Sequence, residues 1–460
     1  MRNLIRRTAF LLMLTVVSTS SCKKILKVEP EFIRTTGQVY ATDRSADSVV
    51  VGMYVKWAGN SSLFDIPVAA GLSSDELKPG TTTNDSYLNM FNNNIVPVNS
   101  STEIYWSDYY SAIYIANSII EGTAASSGMT TAGKEKATGE ALFIRSFCYF
   151  YLVNFFGDVP LVTSTGYKET KDLARTPVAT VYTQILADLL KAEKYLGDQY
   201  PTAGRVRANK WAVKALLSRV YLYTGDWNNA NVKASEIINN QAQYSLGAMN
   251  GTSAEDAEMD IFHSDNNESI LQIWNNIGYS IGGATLDDFS EVAVADQGSN
   301  SLLDAFEDGD KRRWNYIKEE AGDYRIYKYR LAEESSDYKE YTVVLRLAEQ
   351  YLIRAEALAK LGQLKAAAQD VNTIRNRAGL GNLPDGQTET SILDAIEQER
   401  RVELCFEWSD RWFNLRRLGH IDQVMSVNKP THWKHTAALY PIPRAEIRNN
   451  PKLVQNPGYN

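Results

Sequence analysis

Residues 345–380 read LRLAEQYLIRAEALAKLGQLKAAAQDVNTIRNRAGL, and this stretch decides the fold. Apolar and small side chains recur in it at intervals of three and four residues, with an interruption at Gly362. That spacing is typical of amphipathic helices, and glycine is a common residue just beyond a helix end. The stretch therefore predicts two helices, Tyr341–Leu361 and Gln363–Ala378, joined by a tight turn at the glycine.

A second helix pair with the same layout lies earlier in the chain. Helices predicted at Arg207–Tyr223 and Trp227–Asn239 are joined at Gly225, and an alanine follows five residues later, as Ala367 follows Gly362. Pairs of this kind stack because one pair cannot bury its own apolar face. The spacing is similar to that of tetratricopeptide repeats and predicts a scaffold of stacked pairs.

Long irregular segments interrupt the helical pattern. Residues 61–103 are rich in Asn, Ser, Thr and Pro, and residues 241–300 mix polar residues and Gly with one strand-like run, Ser269–Trp274. Loops of this length are uncommon in compact domains unless they carry function. The predicted fold class is therefore mainly α, with tetratricopeptide-like helix pairs as the scaffold and long insertions carrying a few short strands. Further helices are predicted at Thr131–Phe156, Thr180–Leu196 and Ser391–Leu418.

Two conspicuous runs are interpreted as structure rather than as ligand sites. Seven aromatic residues lie between Phe143 and Phe156 at helical spacing, which is typical of core packing. The run ERRVE at 399–403 interleaves acids with arginines, which predicts a helix laced with ion pairs. Cys148 and Cys405 lie in these same regions, and because no metal-binding or redox spacing surrounds them, both are predicted to be free core thiols.

The first 22 residues are typical of an export signal for a lipid-anchored protein. Arginines at positions 2, 6 and 7 precede the largely apolar run Thr8–Val17, and small residues then lead to Cys22. The run is too short to span a bilayer. The sequence predicts a signal peptide over residues 1–21, followed by acylation of Cys22. A simple secretory signal with cleavage nearby is the alternative.

The charge balance excludes one broad class of partner. The chain has 48 basic and 55 acidic residues, a net charge of −7, which becomes −10 once the three arginines of the signal are removed. Nucleic-acid phosphates require a basic surface, so we predict that the protein binds no nucleic acid. No later stretch reaches 18 apolar residues, so no further membrane span is predicted.

Two short motifs fit catalytic or nucleotide sites but lack the structural context. GYSIG at 278–282 fits the nucleophile turn of an α/β hydrolase. That fold requires alternating strands and helices, and the sequence before this motif predicts mostly helices. GMTTAGK at 128–134 fits a phosphate-binding loop, but Glu135 stands where Ser or Thr is required. We predict no catalytic residue, no metal and no cofactor. A surface hydrolase that uses Ser280 or a carboxylate pair is the remaining catalytic alternative.

Five blocks of the chain together resemble a known protein family. Besides residues 345–380, they are EALFIRSFCYFYLVNFFGDVPLV at 140–162, RVRANKWAVKALLSRVYLYTGDW at 205–227, ILDAIEQERRVELCFEWSDRWFNLRRLG at 392–419 and LYPIPRAEIRNNPKLVQNPGY at 439–459. With the SSDE turn at 73–76 and the lipid signal, they resemble the SusD/RagB family of outer-membrane lipoproteins from Bacteroidetes.

This resemblance implies an architecture and a biological role. It implies one domain over 22–460, with an N-terminal part of about 30–250 and a C-terminal part of about 251–460. It also implies a lipid-anchored, surface-exposed binding protein that acts as a lid over a TonB-dependent β-barrel of the SusC type. Glycans are the usual cargo of the family and some members handle peptides, which makes a peptide-binding protein the principal alternative.

The resemblance also points to the segments that would hold the cargo. Glycan-binding members use the irregular segment after the Asp-Glu turn, and sugars require flat aromatic surfaces together with polar donors and acceptors. The alternative for the aromatic residues is that they tie the loops to the helical core. The predicted ligand-binding residues are Asp75, Tyr87, Asn89, Phe91, Asn93, Trp274, Asn275 and Tyr279.

Overall fold

The computed structural model describes residues 36–59, 62–80, 83–251, 253, 256–264, 266–274, 290–293, 301–320, 322–329 and 340–459. The described chain is mainly helical and carries a few short strands, as predicted. The helices are α1 (Thr36–Val39), α2 (Asp43–Ala58), α3 (Ser62–Ser73), α4 (Asp85–Phe91), α5 (Ser100–Ala125), α6 (Thr131–Phe156), α7 (Tyr167–Thr170), α8 (Val178–Tyr195), α9 (Lys210–Thr224), α10 (Trp227–Ile238), α11 (Arg312–Tyr316), α12 (Leu347–Lys360), α13 (Leu364–Arg377), α14 (Glu389–Glu403), α15 (Asp410–Leu418), α16 (Ile421–Asn428) and α17 (Arg444–Asn449).

The strands are short and pair in twos. They are β1 (Leu77–Pro79), β2 (Met249–Asn250), β3 (Glu258–Met259), β4 (Ser269–Ile273), β5 (Ser290–Val292), β6 (Ile317–Glu320), β7 (Asp323–Ile326) and β8 (Thr342–Arg346). The antiparallel pairs are β1 with β5, β2 with β3, β4 with β8 and β6 with β7. The strands β6 and β7 are separated by two residues, whereas the strands of the other three pairs are separated by longer stretches of chain. These pairs therefore fasten the insertions and do not form a common sheet.

Both predicted helix pairs are present. Gly225 ends α9 and Gly362 follows α12, and each adopts the left-handed backbone that glycine tolerates best, with φ of 73° and 75°. Ala230 and Ala367, five residues after these glycines, are fully buried. The second helix of the first pair, α10, packs against the first helix of the second pair, α12. The two pairs therefore stack although about 110 residues separate them.

Helix α6 forms the centre of the aromatic core, as predicted for the aromatic run. It packs against α5 on one side and α8 on the other. Phe147, Tyr151 and Phe155 are buried and contact aromatic rings from other elements, among them Trp408 and Phe413. Cys148 and Cys405 are also buried and free, which confirms their prediction as core thiols.

The segment at 128–134 is the start of α6. The Thr130 side chain caps the helix by accepting a hydrogen bond of 3.0 Å from the backbone N–H of Gly133. Lys134 donates to the Ser126 carbonyl within the preceding turn. A capped helix start with its lysine already engaged is the arrangement expected of a helix connection.

The prediction of an irregular segment over residues 61–103 was wrong in part. This stretch contains α3, β1, α4 and the first turn of α5. Helix α3 includes Pro67 in its interior, a residue that usually ends a helix. Burial of Val68, Ala69 and Leu72 against the core outweighs that local preference.

Two predicted helix boundaries were also wrong. Residues 342–346 form the fully buried strand β8 before α12 begins, because β-branched residues there pair with β4. The helix predicted at Ser391–Leu418 is broken into α14 and α15. In the break, Phe406, Trp408 and Ser409 have φ of 62°, 49° and 64°. This unusual backbone directs residues 406–408 toward buried partners, including a 2.6 Å bond from the Trp408 indole to the Val343 carbonyl.

Candidate ligand-binding site

The two segments predicted to hold a ligand are joined by a pair of strands. Strand β1, directly after the Asp-Glu turn, pairs antiparallel with β5 from the second insertion, with Leu77 opposite Val292. An ion pair of 2.8 Å between the Lys78 Nζ and the Glu291 Oε2 adds to the backbone ladder. The fold therefore brings together two segments that lie more than 200 residues apart in sequence.

Asp75 lies in a buried ion-pair cluster at the base of the first segment. Its two carboxylate oxygens accept bonds of 2.8 Å from Arg411, and Arg401 contributes a third bond of 3.1 Å. Burial alone would favour the neutral acid, but the charges of Arg411 and Arg401 hold the pKa of Asp75 well below its usual range. The side chain is 5% exposed, so the structure uses this predicted ligand residue to fasten the turn to α14 and α15.

Glu76, the next residue, is buried without a direct cation partner in the described ion pairs. The backbone N–H of Phe406 donates to its Oε1 at 3.2 Å. Burial and the adjacent negative charge of Asp75 raise the pKa of Glu76 to about 8. Two neighbouring carboxyl groups thus differ in charge at neutral pH because only one of them has arginine partners.

Lys429 approaches the same turn from the C-terminal part of the chain. Its Nζ donates to the carbonyls of Leu72 and Ser73, and it lies 4.7 Å from the centre of the Phe91 ring. Burial lowers the pKa of Lys429 to about 7. The Ser73 hydroxyl also lies 2.8 Å from the Tyr440 hydroxyl. The end of α3 is therefore held from several sides.

Helix α4 carries the next predicted residues. Tyr87 and Phe91, one helical turn apart, are partly buried and pack against the main core. Asn89 is partly exposed, and its carbonyl accepts a bond of 3.0 Å from the Asn94 backbone. Asn93 is buried in a left-handed conformation, and its amide donates to the Ser73 carbonyl at 2.9 Å. Each of these contacts is structural, and Asn93 is the one buried residue among the four.

Trp274 differs from the other predicted aromatic residues because its side chain is 44% exposed. It follows β4, whose five residues are all buried. Asn275 and Tyr279 lie outside the described residues, as do Cys22 and Ser280. The structure thus places Trp274 at the surface directly after β4, within the second insertion, while the residues of the first segment serve mainly as anchors.

A second buried charge cluster lies behind these segments and includes part of the 399–403 run. We call it the Glu403 cluster. Glu403 Oε1 is 2.5 Å from Arg346 Nη1, which also lies 2.8 Å from Glu268. Burial opposes ionisation, but the charges of Arg377, Arg346 and Arg312 keep the pKa of Glu403 well below its usual range. The cluster consists of Glu268, Arg312, Arg346, Arg377, Glu403 and Glu407.

The Glu403 cluster accounts for part of the charged run at 399–403. The predicted ion-pair role of the 399–403 run is confirmed, since Glu399, Arg400, Arg401 and Glu403 all have charged partners. Asp310 also pairs with a member of the cluster, since its carboxylate lies 2.7 Å from Arg312. Among the described residues, no group of three or more His, Cys, Asp and Glu side chains is arranged to hold a metal ion.

The sequence did not identify Lys429 as a contact of this turn, or the arginine partners of Asp75. Lys429 lies more than 350 residues from the turn that it contacts, and no local pattern marks it. Arg401 belongs to the 399–403 run that was correctly interpreted as structural, but Asp75, the partner of both Arg401 and Arg411, was assigned to ligand binding. A buried acid and a surface acid look the same in a single sequence, so only the fold distinguishes them.

Two family models match the chain. One is the SusD family, over residues 307–459, and the other is described as starch-binding associating with outer membrane, over residues 50–222. SusD-like protein P38 from Formosa agariphila is 26% identical, with 98% of each chain covered.

Solved structures give the same relationship. A laminarin binding SusD-like protein is 25% identical, with a TM-score of 0.73 over 91% of this chain and 100% of that one. Surface glycan-binding protein A from Bacteroides fluxus is 22% identical, with a TM-score of 0.74 over 91% of this chain and 100% of that one. In the described ranges, no helix has the combination of length and apolar character needed to cross a bilayer.

Proposed function

The chain belongs to the SusD/RagB family, and from this premise we propose that it captures glycans at the outer membrane and delivers them to a TonB-dependent β-barrel of the SusC type. Two structural relatives support a carbohydrate cargo, because one is described as laminarin binding and the other as surface glycan-binding. The family description that mentions the outer membrane supports the location. In this proposal the protein binds its cargo and performs no catalysis.

The observation that carries the proposed site is the β1–β5 pairing. It joins the segment after the Asp-Glu turn to the second insertion, residues 241–300, which includes Trp274, and these are the two segments from which the ligand site is predicted. Trp274 presents an indole that is 44% exposed. An exposed indole offers a flat apolar surface for the C–H face of a sugar ring and an N–H for a hydroxyl.

The buried anchors explain how such a site would be kept in position. Asp75 fastens the turn after α3 to Arg411, and Asn93 and Lys429 both donate to the Ser73 carbonyl at the end of α3. A surface that is already ordered before binding loses less conformational entropy when the ligand arrives. We propose that these residues position the binding segment, while Trp274 and the accessible polar groups contact the glycan.

Asn275 and Tyr279, which follow Trp274 in the chain, are proposed as further ligand residues.

The proposed membrane anchor is the lipid on Cys22. More than one acyl chain gives stable membrane attachment, since each buried CH₂ contributes about 0.8 kcal/mol. Labelling of the full-length protein with a palmitate analogue, and loss of the label in Cys22→Ala, tests the anchor independently of ligand binding.

A glycan array with residues 23–460, followed by calorimetry on the glycans that bind, tests the proposed function. We expect one glycan class to bind and Trp274→Ala to weaken binding at least tenfold. Val232→Ala is the matched control, because Val232 is 47% exposed on α10, within the helix pairs. An array without any binding, from protein that is folded by circular dichroism, would contradict the glycan proposal and favour the peptide alternative.

A further inference from the structure

A cleft of about 590 Å³ opens between α5, α7 and α17, and none of the eight predicted ligand residues lines it. We call it the tyrosine cleft. Its lining combines the apolar residues Trp106, Pro160, Val162 and Leu453 with several polar residues. The volume lies within the range of about 300–1,000 Å³ that is usual for small-molecule sites in proteins.

Two tyrosines on the helices that form this cleft, one on α5 and one on α7, do not take part in the packed core. Tyr167 lines the cleft and is 74% exposed. Tyr114 is 57% exposed and lies one helical turn after Tyr110, which also lines the cleft. In the described part of the chain, Tyr114, Tyr167 and Trp274 are the aromatic side chains left this exposed. Large aromatic rings at a concave surface are typical of binding sites.

The polar side of the cleft offers groups suited to hydroxyls. Glu446 is half-buried, and burial raises its pKa although the Trp106 side chain hydrogen-bonds to it. Its carboxylate forms none of the ion pairs found among the described residues. Asn449 and Thr170 stand beside it at the lining. A carboxylate, an amide and a hydroxyl next to apolar rings form a mixed surface that accepts and donates hydrogen bonds.

We propose that the tyrosine cleft is a second carbohydrate site, which holds a neutral sugar unit against Tyr167. One apolar face of the sugar would stack on the tyrosine ring, and its hydroxyls would bond to Glu446 and Asn449. This inference rests on the proposed function for its ligand class, but not on the site at Trp274.

The chemistry of the lining favours a sugar over a peptide. Helices and turns line the cleft, so in the described chain no strand edge is available there to pair with an extended peptide backbone. Lys171 at the rim already pairs with Asp172, which leaves a mixture of hydroxyl, amide and carboxylate groups rather than a strong field of one sign. Neutral polyols match such a surface better than charged ligands do.

The test places a reporter in the cleft. Ser107→Cys introduces an exposed thiol at the lining, and because Cys148 and Cys405 are buried, an environment-sensitive fluorophore would label the new residue alone in the 23–460 protein. Laminaritriose, maltotriose and mannotriose are titrated as probes. We expect at least one to change the fluorescence in a saturable way, and Tyr167→Ala to weaken that response at least fivefold. Ser48→Cys on α2 is the matched control label and should not respond.

The outcomes separate this inference from the proposed function. A response that Tyr167→Ala weakens and Trp274→Ala preserves supports a second site. No response to any trisaccharide, or a response unchanged by Tyr167→Ala, overturns it, and array binding that requires Trp274 would still support the proposed function. Weaker co-purification of Tyr167→Ala with the barrel transporter, without any saccharide effect, would also overturn it and indicate a protein contact.

Discussion

Burial affects the pKa values of the groups in two charge clusters of this molecule differently. In the Glu403 cluster, three arginines surround Glu403 and keep its pKa well below the usual range. In the Asp-Glu turn, Asp75 has arginine partners and remains ionised, but burial raises the pKa of Glu76 to about 8 and lowers that of Lys429 to about 7. In these two clusters, burial shifts each group toward its neutral form, and the carboxylates with two or more arginine partners keep their charge in spite of it.

The two clusters also hold different parts of the molecule in place. The Glu403 cluster ties β8, α11 and α13 to α14. Through Glu268 it also fastens the second insertion to the helix pairs. The Asp-Glu turn directly precedes, along the chain, the segment proposed to bind glycan. A cluster in which the buried charges are paired with opposite charges suits a rigid scaffold. A cluster in which some titratable groups have no such partner makes the stability of the binding segment depend on pH. Three substitutions test this contrast.

The largest effect is expected from Glu403→Gln. Removing this carboxylate leaves three buried arginines without a common partner, and breaking a buried ion pair costs about 3–5 kcal/mol. We expect the free energy of unfolding to fall by that amount in urea denaturation of the 23–460 protein. Glu320→Gln is the control, because Glu320 is exposed in its pair with Lys318 and should change stability by less than about 0.5 kcal/mol. Equal effects of the two changes would contradict the scaffold role.

A smaller loss is expected from Asp75→Asn. The amide can still accept one bond from Arg411, but the charged interaction with Arg411 and Arg401 is lost. Hydrogen bonds to charged groups contribute about 1.5–3 kcal/mol, so we expect a loss of about 2–3 kcal/mol in the same denaturation experiment. Asp172→Asn, in an exposed pair with Lys171, is the control. An unchanged stability would show that Asp75 is free for the ligand role first predicted for it.

The sequence predicted those parts of the fold that depend on local pattern. The helix pairs at Gly225 and Gly362, the full length of α6 and the buried thiols all follow from periodicity and composition. The failures occur where distant contacts override local preference. Helix α3 forms around Pro67 because its neighbours are buried.

The ligand site was harder to predict for a related physical reason. Asp75 and Asn93 carry side chains typical of sugar binding, but the structure engages both with the protein itself. Their partners lie between 20 and 336 residues away, beyond any local spacing rule. Trp274 keeps an accessible ring, so it stays the predicted aromatic contact. A residue type indicates what a side chain can bind, and only the fold shows whether that capacity is already used.

The most subtle prediction concerns Glu76 and pH. In the unfolded chain this carboxyl titrates near 4.5, whereas in the folded protein it keeps its proton up to about pH 8. Between these values the unfolded state binds fewer protons, so the contribution of Glu76 to stability is complete below pH 4.5 and is lost as the pH rises, by at most about 1.4 kcal/mol per pH unit. Glu76→Gln removes this dependence. We therefore expect the variant to gain stability relative to the wild type between pH 5 and 7, a range chosen below the titration of Lys429 near pH 7.

Urea denaturation at pH 5, 6 and 7 measures the difference, with Ser74→Ala as the neighbouring buried control that removes no titratable group. Parallel curves for the wild type and Glu76→Gln would show that Glu76 is charged in the folded protein and that the two clusters do not differ.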